Sequence, residues 1–399
     1  MNKNSDVRGR MDKKIAQELE PFALLSDQFA AHPEVGSKEY QTSAALVKMM
    51  QSHGFEVEYP YSGIETAFNA VKKNGSGPVV AFLAEYDALP EIGHACGHNM
   101  NGIISALGAV GLAEALSDFP GEVRLVGTPA EETNGAKVTL SEQGVFDDVD
   151  LAVMFHVASG HSYVRYRCLA MQAFEFTFRG HPAHAASSPW AGVNALNGVQ
   201  LFFHAIDMLR QHVRPEARMH GVIVQGGSVP NVVPDVAVAR FYFRAPWKGY
   251  LNDMIEKALN CARGAALATG TQVEWFNNEF SFDNMLPNPS AETLMEEIMN
   301  ELGIETAENA NLDGSSDVGN VSWACPALQP KLAVSSEKIA PHTREFAQMV
   351  SGGKKVRKAI EQGARSLARL GLEVISDLDV RRRLREDFEL EKRKAADIV

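Results

Sequence analysis

One short segment of the chain carries an unusual density of side chains that bind metal ions. Between Glu85 and Asn99, directly after an apolar run, carboxylates are followed by two histidines around a single cysteine. Thiolate, imidazole and carboxylate groups are the donors that hold zinc-like divalent ions. Gly97 lets the backbone turn between Cys96 and His98, so that both side chains can face one ion. The segment therefore predicts half of a metal site.

The other half of the site is predicted from later positions. Glu131 and Glu132 follow one predicted strand, and His156 closes a second. His342 stands at the start of a predicted helix. Taken singly, each has an ordinary alternative, such as a solvated carboxylate or a buried core histidine. Together they interrupt apolar elements at one end of a predicted sheet, where α/β proteins bind ligands, and they supply the roughly three donors per ion that two divalent ions need.

Bulk composition restricts the class of protein. The 399 residues exceed one typical core, so we expect two domains. With 45% hydrophobic and 22% charged residues, the chain has the composition of an ordinary globular protein. The net charge of −12 argues against a nucleic-acid partner, because phosphate binding needs clustered Lys and Arg.

The sequence also predicts where the protein is found. Its four cysteines show no pairing pattern, which indicates a reducing compartment. The first ten residues lack the apolar stretch of a secretory signal, and nowhere do eighteen apolar residues follow one another. We therefore expect a cytoplasmic protein with no membrane partner.

The order of predicted elements indicates an α/β protein with an insertion. Residues 1–165 predict the first part of a catalytic domain, with a central mixed sheet flanked by helices. From residue 166 apolar and polar residues alternate strictly, with Phe174, Phe176 and Phe178 on one strand face. Residues 166–283 therefore predict a small α+β domain of ferredoxin-like type, and residues 284–399 return to the catalytic domain.

Several elements are predicted around the site. The strands that position it are expected at Val79–Leu83, Val123–Val126 and Leu151–Phe155. A last long helix is expected from about Thr343 to Leu370. The charged end of the chain, residues 377–399, predicts a solvated helix or tail.

Two motif regions give the chain a family resemblance. Ala84–Pro90 with Gly93–Asn99, and Gly314–Asn320, resemble the dinuclear metallopeptidase and amidohydrolase superfamily of aminoacylases, carboxypeptidase G and plant auxin-conjugate hydrolases. Within it they are similar to the branch of p-aminobenzoyl-glutamate hydrolase subunits and aminoacylase-like dipeptidases. The likeness extends from His32 to near Leu370. It implies a metallopeptidase catalytic domain with an inserted lid or dimerisation domain.

The resemblance also implies the metal ligands. Cys96 would bridge two divalent ions, zinc or manganese, and four further residues would complete their shells, namely His98, Glu132, His156 and His342. Where the wider auxin-hydrolase pattern has an aspartate after the second histidine, this chain has Asn99. That departure leaves every matched ligand in place.

Two carboxylates receive roles in catalysis. The resemblance implies that Glu131 is the general base, which takes a proton from the attacking water and delivers it to the departing amine. Asp87, at the end of its strand, is placed to orient a metal ligand. Bound divalent ions would lower the pKa of water from 15.7 to roughly 7.

Substrate-binding residues are implied by the same resemblance. Asn231 and Arg244 would hold the substrate carboxylate, which a guanidinium binds bidentately. His184 would donate either to the carbonyl oxygen as the tetrahedral intermediate forms or to the substrate carboxylate, often from the partner subunit of a dimer. Ser315, in the second motif region, is assigned to the same site. A homodimer through the inserted domain is therefore expected.

The predicted function is metal-dependent hydrolysis of the amide bond of a small N-acyl amino acid or dipeptide. Examples are p-aminobenzoyl-glutamate and dipeptides that end in a basic residue. One alternative is hydrolysis of another C–N bond, such as that of an aromatic amine. A second is a catalytically silent partner subunit, against which the presence of Glu131 argues. A third, a single structural metal, needs only four ligands, fewer than this chain offers.

Overall fold

The structure is a computed structural model that describes residues 3–308, 312 and 314–396. Its contacts divide the chain into two compact units. The larger unit contains the chain up to Arg167 together with Met285–Arg393, and the smaller contains Cys168–Asn284 with the end of the chain from Lys394. The sequence pattern predicts the insertion at residues 166–283.

The described residues form twelve strands and eleven α-helices. The strands are β1 (Glu56–Glu58), β2 (Phe68–Asn74), β3 (Val79–Ala84), β4 (Gly121–Gly127), β5 (Leu151–Val153), β6 (His156–Ser159), β7 (Ala170–Arg179), β8 (Arg218–Gln225), β9 (Val236–Ala245), β10 (Gln272–Asn277), β11 (Ala327–Leu328) and β12 (Lys331–Ser335). The helices are α1 (Lys3–Ala31), α2 (Tyr40–Ser52), α3 (His98–Ala113), α4 (Ala136–Glu142), α5 (Ala195–Leu209), α6 (Lys248–Thr269), α7 (Pro289–Glu301), α8 (Val318–Ala324), α9 (Arg344–Met349), α10 (Lys354–Ser376) and α11 (Leu378–Ala396).

The larger unit is built on a six-stranded mixed sheet. Its order is β1-β2-β4-β3-β5-β11. The last four strands pair in parallel, β2 is antiparallel to β4, and β1 is antiparallel to β2. All of β3 is buried, as strands inside parallel sheets generally are. Ala84 at the end of β3 pairs with Gly127 at the end of β4. The segments that follow these two strands therefore leave the sheet at the same edge, where a site is expected.

Helix α3 is the central helix of the larger unit. All of its residues are buried, and it packs against α1, α10 and β3. By length and composition alone the stretch His98–Ser117 would be able to cross a membrane, but it is almost wholly buried inside the protein. The helix begins at His98, so the element that fills the core also fixes a predicted metal ligand.

The smaller unit is a four-stranded antiparallel sheet, β10-β7-β9-β8, packed against α5 and α6. Its core is rich in phenylalanine, with buried rings at Phe174, Phe176, Phe178, Phe202, Phe241 and Phe243. Arg240, Tyr242 and Arg244 lie on the opposite face of β9, as the alternation predicts. The predicted α/β fold with an inserted α+β domain is confirmed.

Some element predictions were wrong. The last long helix is divided into α9 and α10, because Gly352 and Gly353 take φ values of +132° and +92°, which a helix does not allow. His156 does not close the strand Leu151–Phe155: β5 ends at Val153, and His156 opens β6, where its N–H donates to the Pro330 carbonyl at 3.0 Å.

The charged end of the chain forms a helix that is not fully solvated. Helix α11 buries Val380, Leu384 and Phe388 along one side. Its other positions are largely charged and exposed, as the sequence predicts. Residues 397–399 of the predicted tail lie outside the described part of the chain.

Candidate metal centre

The first group of donors surrounds the turn between β3 and α3. Gly97, with φ +80°, reverses the backbone so that Cys96 and His98 face the same point. The donor atoms of Cys96, His98 and His156 all lie within 4.8 Å of one another. The Cys96 Sγ and His156 Nε2 atoms are 3.4 Å apart. These three residues could together hold one divalent ion.

A second group of donors shares the same cysteine. The donor atoms of Cys96, Glu132 and His342 also lie within 4.8 Å of one another. His342 Nε2 is 3.4 Å from Glu132 Oε1. The backbone N–H of His342 donates to the Ala95 carbonyl at 2.9 Å, which ties this ligand to the Cys96 segment. Cys96 is thus the one residue common to these two groups of donors.

Asp87 orients two of these ligands at once. The Nδ1 atom of His98 donates to Asp87 Oδ1 at 3.0 Å, so its Nε2 is directed at the donor cluster. The other carboxylate oxygen, Oδ2, accepts the backbone N–H of Glu132 at 3.0 Å. His156 is oriented separately, because its Nδ1 donates to the Val157 carbonyl at 2.8 Å. The arrangement is the carboxylate–histidine pattern common at protein metal sites.

Two buried atoms of the cluster lack the partner that burial requires. His98 Nε2 and Glu132 Oε1 are both buried without a hydrogen bond from the described residues. Glu85 Oε2 lies 3.6 Å from His98 Nε2, beyond hydrogen-bonding distance. A cation would satisfy both atoms. With two donor groups that share a thiol, the residues present fit a pair of divalent ions.

The charges of the cluster favour its anionic donor forms. Burial would raise the pKa of the Cys96 thiol, but the His156 imidazole and neighbouring hydrogen bonds lower it to about 6. Burial likewise raises the pKa of Glu132, yet contact with His342 and the charge of His98 hold it below its ordinary value. Contacts with Cys96 and Glu132 raise the pKa of His342 to about 10. The cluster thus attracts positive charge, as a cation site must.

Glu131 lies beside the metal donors but faces another cluster as well. Its carboxylate is within 4.8 Å of the donor atoms of His98 and Glu132. It is also within 4.8 Å of the carboxylate oxygens of Glu85 and Asp317. The side chain is almost fully buried, and this burial, together with the two neighbouring carboxylates, raises its pKa well above the ordinary value. A buried carboxylate next to metal ligands is suited to accept a proton from water.

The loop that carries Glu131 is held by a buried glutamate. Ala130 takes φ +60°, an unfavourable conformation for a residue with a Cβ. Its N–H donates to Glu39 Oε1 at 2.9 Å, and the other Glu39 oxygen accepts Thr66 Oγ1 at 2.9 Å. Burial and the charge of Asp87 raise the pKa of Glu39 to about 7. Glu39 therefore stabilises the turn that directs Glu131 inward.

The structure reveals a buried ion network that the sequence did not predict. The Lys137 ammonium donates to Glu85 Oε1 at 2.8 Å and to Asp317 Oδ1 at 2.6 Å, and all three side chains are fully buried. Asp317 Oδ2 accepts the Lys137 backbone N–H at 3.1 Å. Asp317 lies in the second motif region, Gly314–Asn320, so the family resemblance had already pointed to this segment. Lys137 is the second residue of α4, and its sequence context gave no signal.

The predicted substrate residues occupy both units. In the smaller unit, the Ala185 N–H donates to the Asn231 carbonyl at 2.9 Å, so the loops that carry His184 and Asn231 are neighbours. Arg244 lies on β9, with its guanidinium 5.8 Å from the centre of the Tyr242 ring. In the larger unit, Ser315 lies two residues before Asp317. Their roles in substrate binding remain predictions.

Asn99 makes hydrogen bonds that an aspartate is unable to make. Its Nδ2 donates to Ser26 Oγ at 3.1 Å and to the Val350 carbonyl at 2.9 Å. Val350 follows α9, the helix that comes directly after His342. The amide therefore ties the start of α3 to the segment that carries a distant ligand, which is the structural consequence of the departure from the wider pattern.

Replacement of Gly97 by alanine is expected to destabilise the protein by at least about 2 kcal/mol, because a Cβ there combines a positive φ with a severe clash. The added atom would overlap Val157 Cγ2. Thermal unfolding measures the effect. The matched control is Gly93→Ala, which also has a positive φ but meets Pro33 Cγ at an ordinary 3.6 Å. Equal losses in the two variants would contradict the importance of the Gly97–Val157 contact.

Similarity to known proteins assigns the family. A family model described as the peptidase dimerisation domain of the M20 group matches residues 171–268. Over 96% of this chain and 92% of the relative, the sequence is 33% identical to the Xaa-Arg dipeptidase of Mus musculus. The chain belongs to the M20 family of metallopeptidases and amidohydrolases. As a member of this family, the chain is a metal-dependent hydrolase, and the predicted class of enzyme is confirmed.

Further relatives and solved structures agree with the M20 assignment. A p-aminobenzoyl-glutamate hydrolase subunit of Escherichia coli strain K12 is 32% identical over 73% of this chain and 65% of that protein. A dinuclear metal-binding M20 peptidase from Bacillus subtilis has a TM-score of 0.71 at 20% identity, covering 91% of this chain and all of that chain. The aminobenzoyl-glutamate utilization protein of Klebsiella pneumoniae has a TM-score of 0.72 at 19% identity, covering 91% of this chain and 98% of that chain. These two structures establish the fold of the M20 chain.

Proposed function

We propose that this M20 enzyme is a dipeptidase that removes a basic residue from the C-terminus of dipeptides. The observation that supports the substrate class is the 33% identity to the mouse Xaa-Arg dipeptidase across nearly all of both chains. N-acyl amino acids such as p-aminobenzoyl-glutamate are the alternative substrates, supported by similarity over a smaller part of the relative.

The cofactor proposal is a pair of divalent ions, zinc or manganese. Five residues would hold them, and Cys96 is common to both donor groups: Cys96, His98, Glu132, His156 and His342. When bound, the ions would polarise the scissile carbonyl and activate water for attack. Thiolate and imidazole ligands suit zinc, whereas carboxylates also suit manganese, so the donor set is compatible with either metal.

Glu131 is proposed to handle the protons of the reaction. Its carboxylate lies beside the metal donors, where it accepts a proton from the attacking water. The same group then delivers that proton to the nitrogen of the departing amino acid. Asp87 keeps the His98 ring in the orientation that directs Nε2 at the centre. No side chain needs to form a covalent bond with the substrate.

His184 is proposed to stabilise negative charge on the carbonyl oxygen. Its Nδ1 accepts the backbone N–H groups of Ala186 at 3.2 Å and Ser187 at 3.1 Å. The neutral ring therefore carries its proton on Nε2, which makes that atom a donor. The side chain is exposed, so the donor is accessible to a substrate. This is the property that an oxyanion donor needs.

The test of the proposed function is hydrolysis of a panel that contains Xaa-Arg and Xaa-Lys dipeptides, p-aminobenzoyl-glutamate, N-acetyl amino acids and an aromatic amide. The purified chain is reconstituted with zinc or manganese, and free amino acid is measured. The highest kcat/KM is expected for basic dipeptides. A higher value for the aromatic amide would favour the rival C–N hydrolase, and no turnover would favour the silent partner subunit.

Replacement of Arg244 by methionine is expected to raise KM for the best substrate roughly 10–100-fold with little change in kcat, since a charged hydrogen bond to a carboxylate contributes about 1.5–3 kcal/mol. Steady-state kinetics measure the effect. Arg240→Met is the matched control, because Arg240 lies on the same face of β9 and its Nε donates to Glu175 Oε2 at 2.8 Å. An unchanged KM in Arg244→Met would contradict carboxylate binding by this residue.

The protein is proposed to be a homodimer through the smaller unit. Strand β8 is at the edge of its sheet and exposes three successive apolar residues, Val222 at 60%, Ile223 at 43% and Val224 at 48%. Edge strands of this kind pair readily with another chain. Sedimentation is expected to give about twice the 43.5 kDa of one chain, and a monomer at micromolar concentration would contradict the proposal.

A cytoplasmic location remains part of the proposal. None of the four cysteines, all within the described part of the chain, forms a disulfide. This supports a reducing compartment, where thiols such as Cys96 stay available as ligands. Recovery of the native protein mainly from a secreted fraction would contradict it.

A further inference from the structure

We infer that Lys137 is a positioning residue, whose buried ammonium fixes the carboxylate of Glu131 in the place where it acts as general base. The inference rests on the proposed function, because it gives Lys137 a part in the same reaction. Lys137 carries an ammonium in place of a metal-binding group, and its side chain is fully buried, so it does not reach a substrate. Its effect on the reaction would therefore be exerted through Glu131.

Three carboxylates from distant segments converge on this point. Glu85 follows β3, Glu131 follows β4, and Asp317 directly precedes α8. One carboxylate oxygen of each lies within 4.8 Å of the others. Like charges this close repel one another strongly when water is excluded. Without a cation among them, the side chain with the most freedom to move would turn away.

Lys137 supplies that cation. Its Nζ donates to Glu85 Oε1 and Asp317 Oδ1 at 2.8 and 2.6 Å, so the ammonium is held between two of the three carboxylates. The negative charge of Glu131 also acts on this ammonium and helps to raise its pKa. Glu85 and Asp317 are further restrained, by Asn101 Nδ2 at 3.2 Å and by the Lys137 backbone N–H at 3.1 Å respectively. Glu131 has no comparable restraint among the hydrogen bonds of the described residues. The attraction of the ammonium is therefore expected to matter most for Glu131.

The metal ligands are oriented by other groups. Asp87 holds His98 and the Glu132 backbone, and the Val157 carbonyl holds His156. None of these hydrogen bonds involves Lys137. Loss of the ammonium should thus change the position of the base without removing the ions. This separates a positioning role from a general role in building the metal centre.

The test is the full-length Lys137→Met variant, loaded with the metal that activates the wild type. A roughly 10–100-fold fall in kcat is expected, as for other residues that orient a catalytic group, with KM and metal ions per chain unchanged. A crystal structure of the variant is expected to show the Glu131 carboxylate displaced. The matched control is Lys72→Met. Lys72 lies on β2 opposite Val123, near the beginning of β4 and away from Glu131, and its Nζ donates to the His53 carbonyl at 2.9 Å.

A second variant covers the case in which Lys137→Met does not fold. Lys137→Met/Asp317→Asn removes one positive and one negative charge, so the buried net charge is unchanged, and kcat is still expected to fall. Wild-type kcat in either folded variant, or a fall that follows loss of metal, would overturn the inference. If the wild type hydrolyses no dipeptide, the proposed function fails. The inference about Lys137 is then decided by the crystal structure of the variant alone, and a Glu131 carboxylate in its wild-type position overturns it.

Discussion

Replacement of Glu131 by glutamine is expected to lower kcat roughly 10²–10⁴-fold, the usual contribution of a general base. Glutamine has nearly the same shape but is unable to accept a proton from water at neutral pH. KM and the number of bound metal ions are expected to stay near wild type, because Glu131 is not among the proposed ligands. The neutral amide adds no unpaired charge to this buried position, so the fold is retained. Steady-state kinetics and metal analysis of the purified variant measure the result.

The matched control for this variant is Glu142→Gln, at the exposed end of α4 in the same stretch of chain. It should behave as the wild type. Activity of Glu131→Gln within about threefold of the control would show that another group handles the proton. Loss of metal from Glu131→Gln would instead make this residue a ligand.

Replacement of Cys96 by alanine is expected to abolish binding of two metal ions per chain. Cys96 is the residue shared by both donor groups, so its loss leaves each group with two of its three ligands. Activity should fall by at least about 100-fold, since even residues that merely support ligands cost 10–100-fold. Metal analysis after dialysis, together with hydrolysis at a fixed metal concentration, measures the effect.

Cys325→Ala is the matched control, because Cys325 is a fully buried cysteine of the same unit that is not among the donors. Burial raises its pKa, so it remains an inert thiol. This variant should keep both ions and lose only the stability that its packing supplied. Two ions per chain in Cys96→Ala would contradict a bridging thiolate.

The sequence was sufficient to predict the elements whose pattern is local. Val79–Leu83 reads as a buried strand because all its residues are apolar, and β3 occupies almost the same positions. The alternation around Phe176 predicted a half-buried strand for a similar reason. Cys96 and His98 were recognisable as a pair because a glycine between them permits one backbone turn.

Features that depend on distant segments were beyond prediction. Strand β10 was missed, because its residues are largely exposed and become a strand only by pairing with β7. His156 was placed in the wrong strand, since its pairing is set by β12, far along the chain. Lys137 shows no local signal, because its partners Glu85 and Asp317 are brought to it only by the folded sheet.

The most direct test of a two-metal hydrolase is a metal titration of the chelator-treated wild type, with bound ions per chain and hydrolysis of a basic dipeptide followed together. The two donor groups that have Cys96 in common predict two bound ions per chain at saturation. Hydrolysis is expected to depend on the binding of these ions. Saturation at a single ion, or full hydrolysis without any bound divalent ion, would contradict a two-metal amide hydrolase.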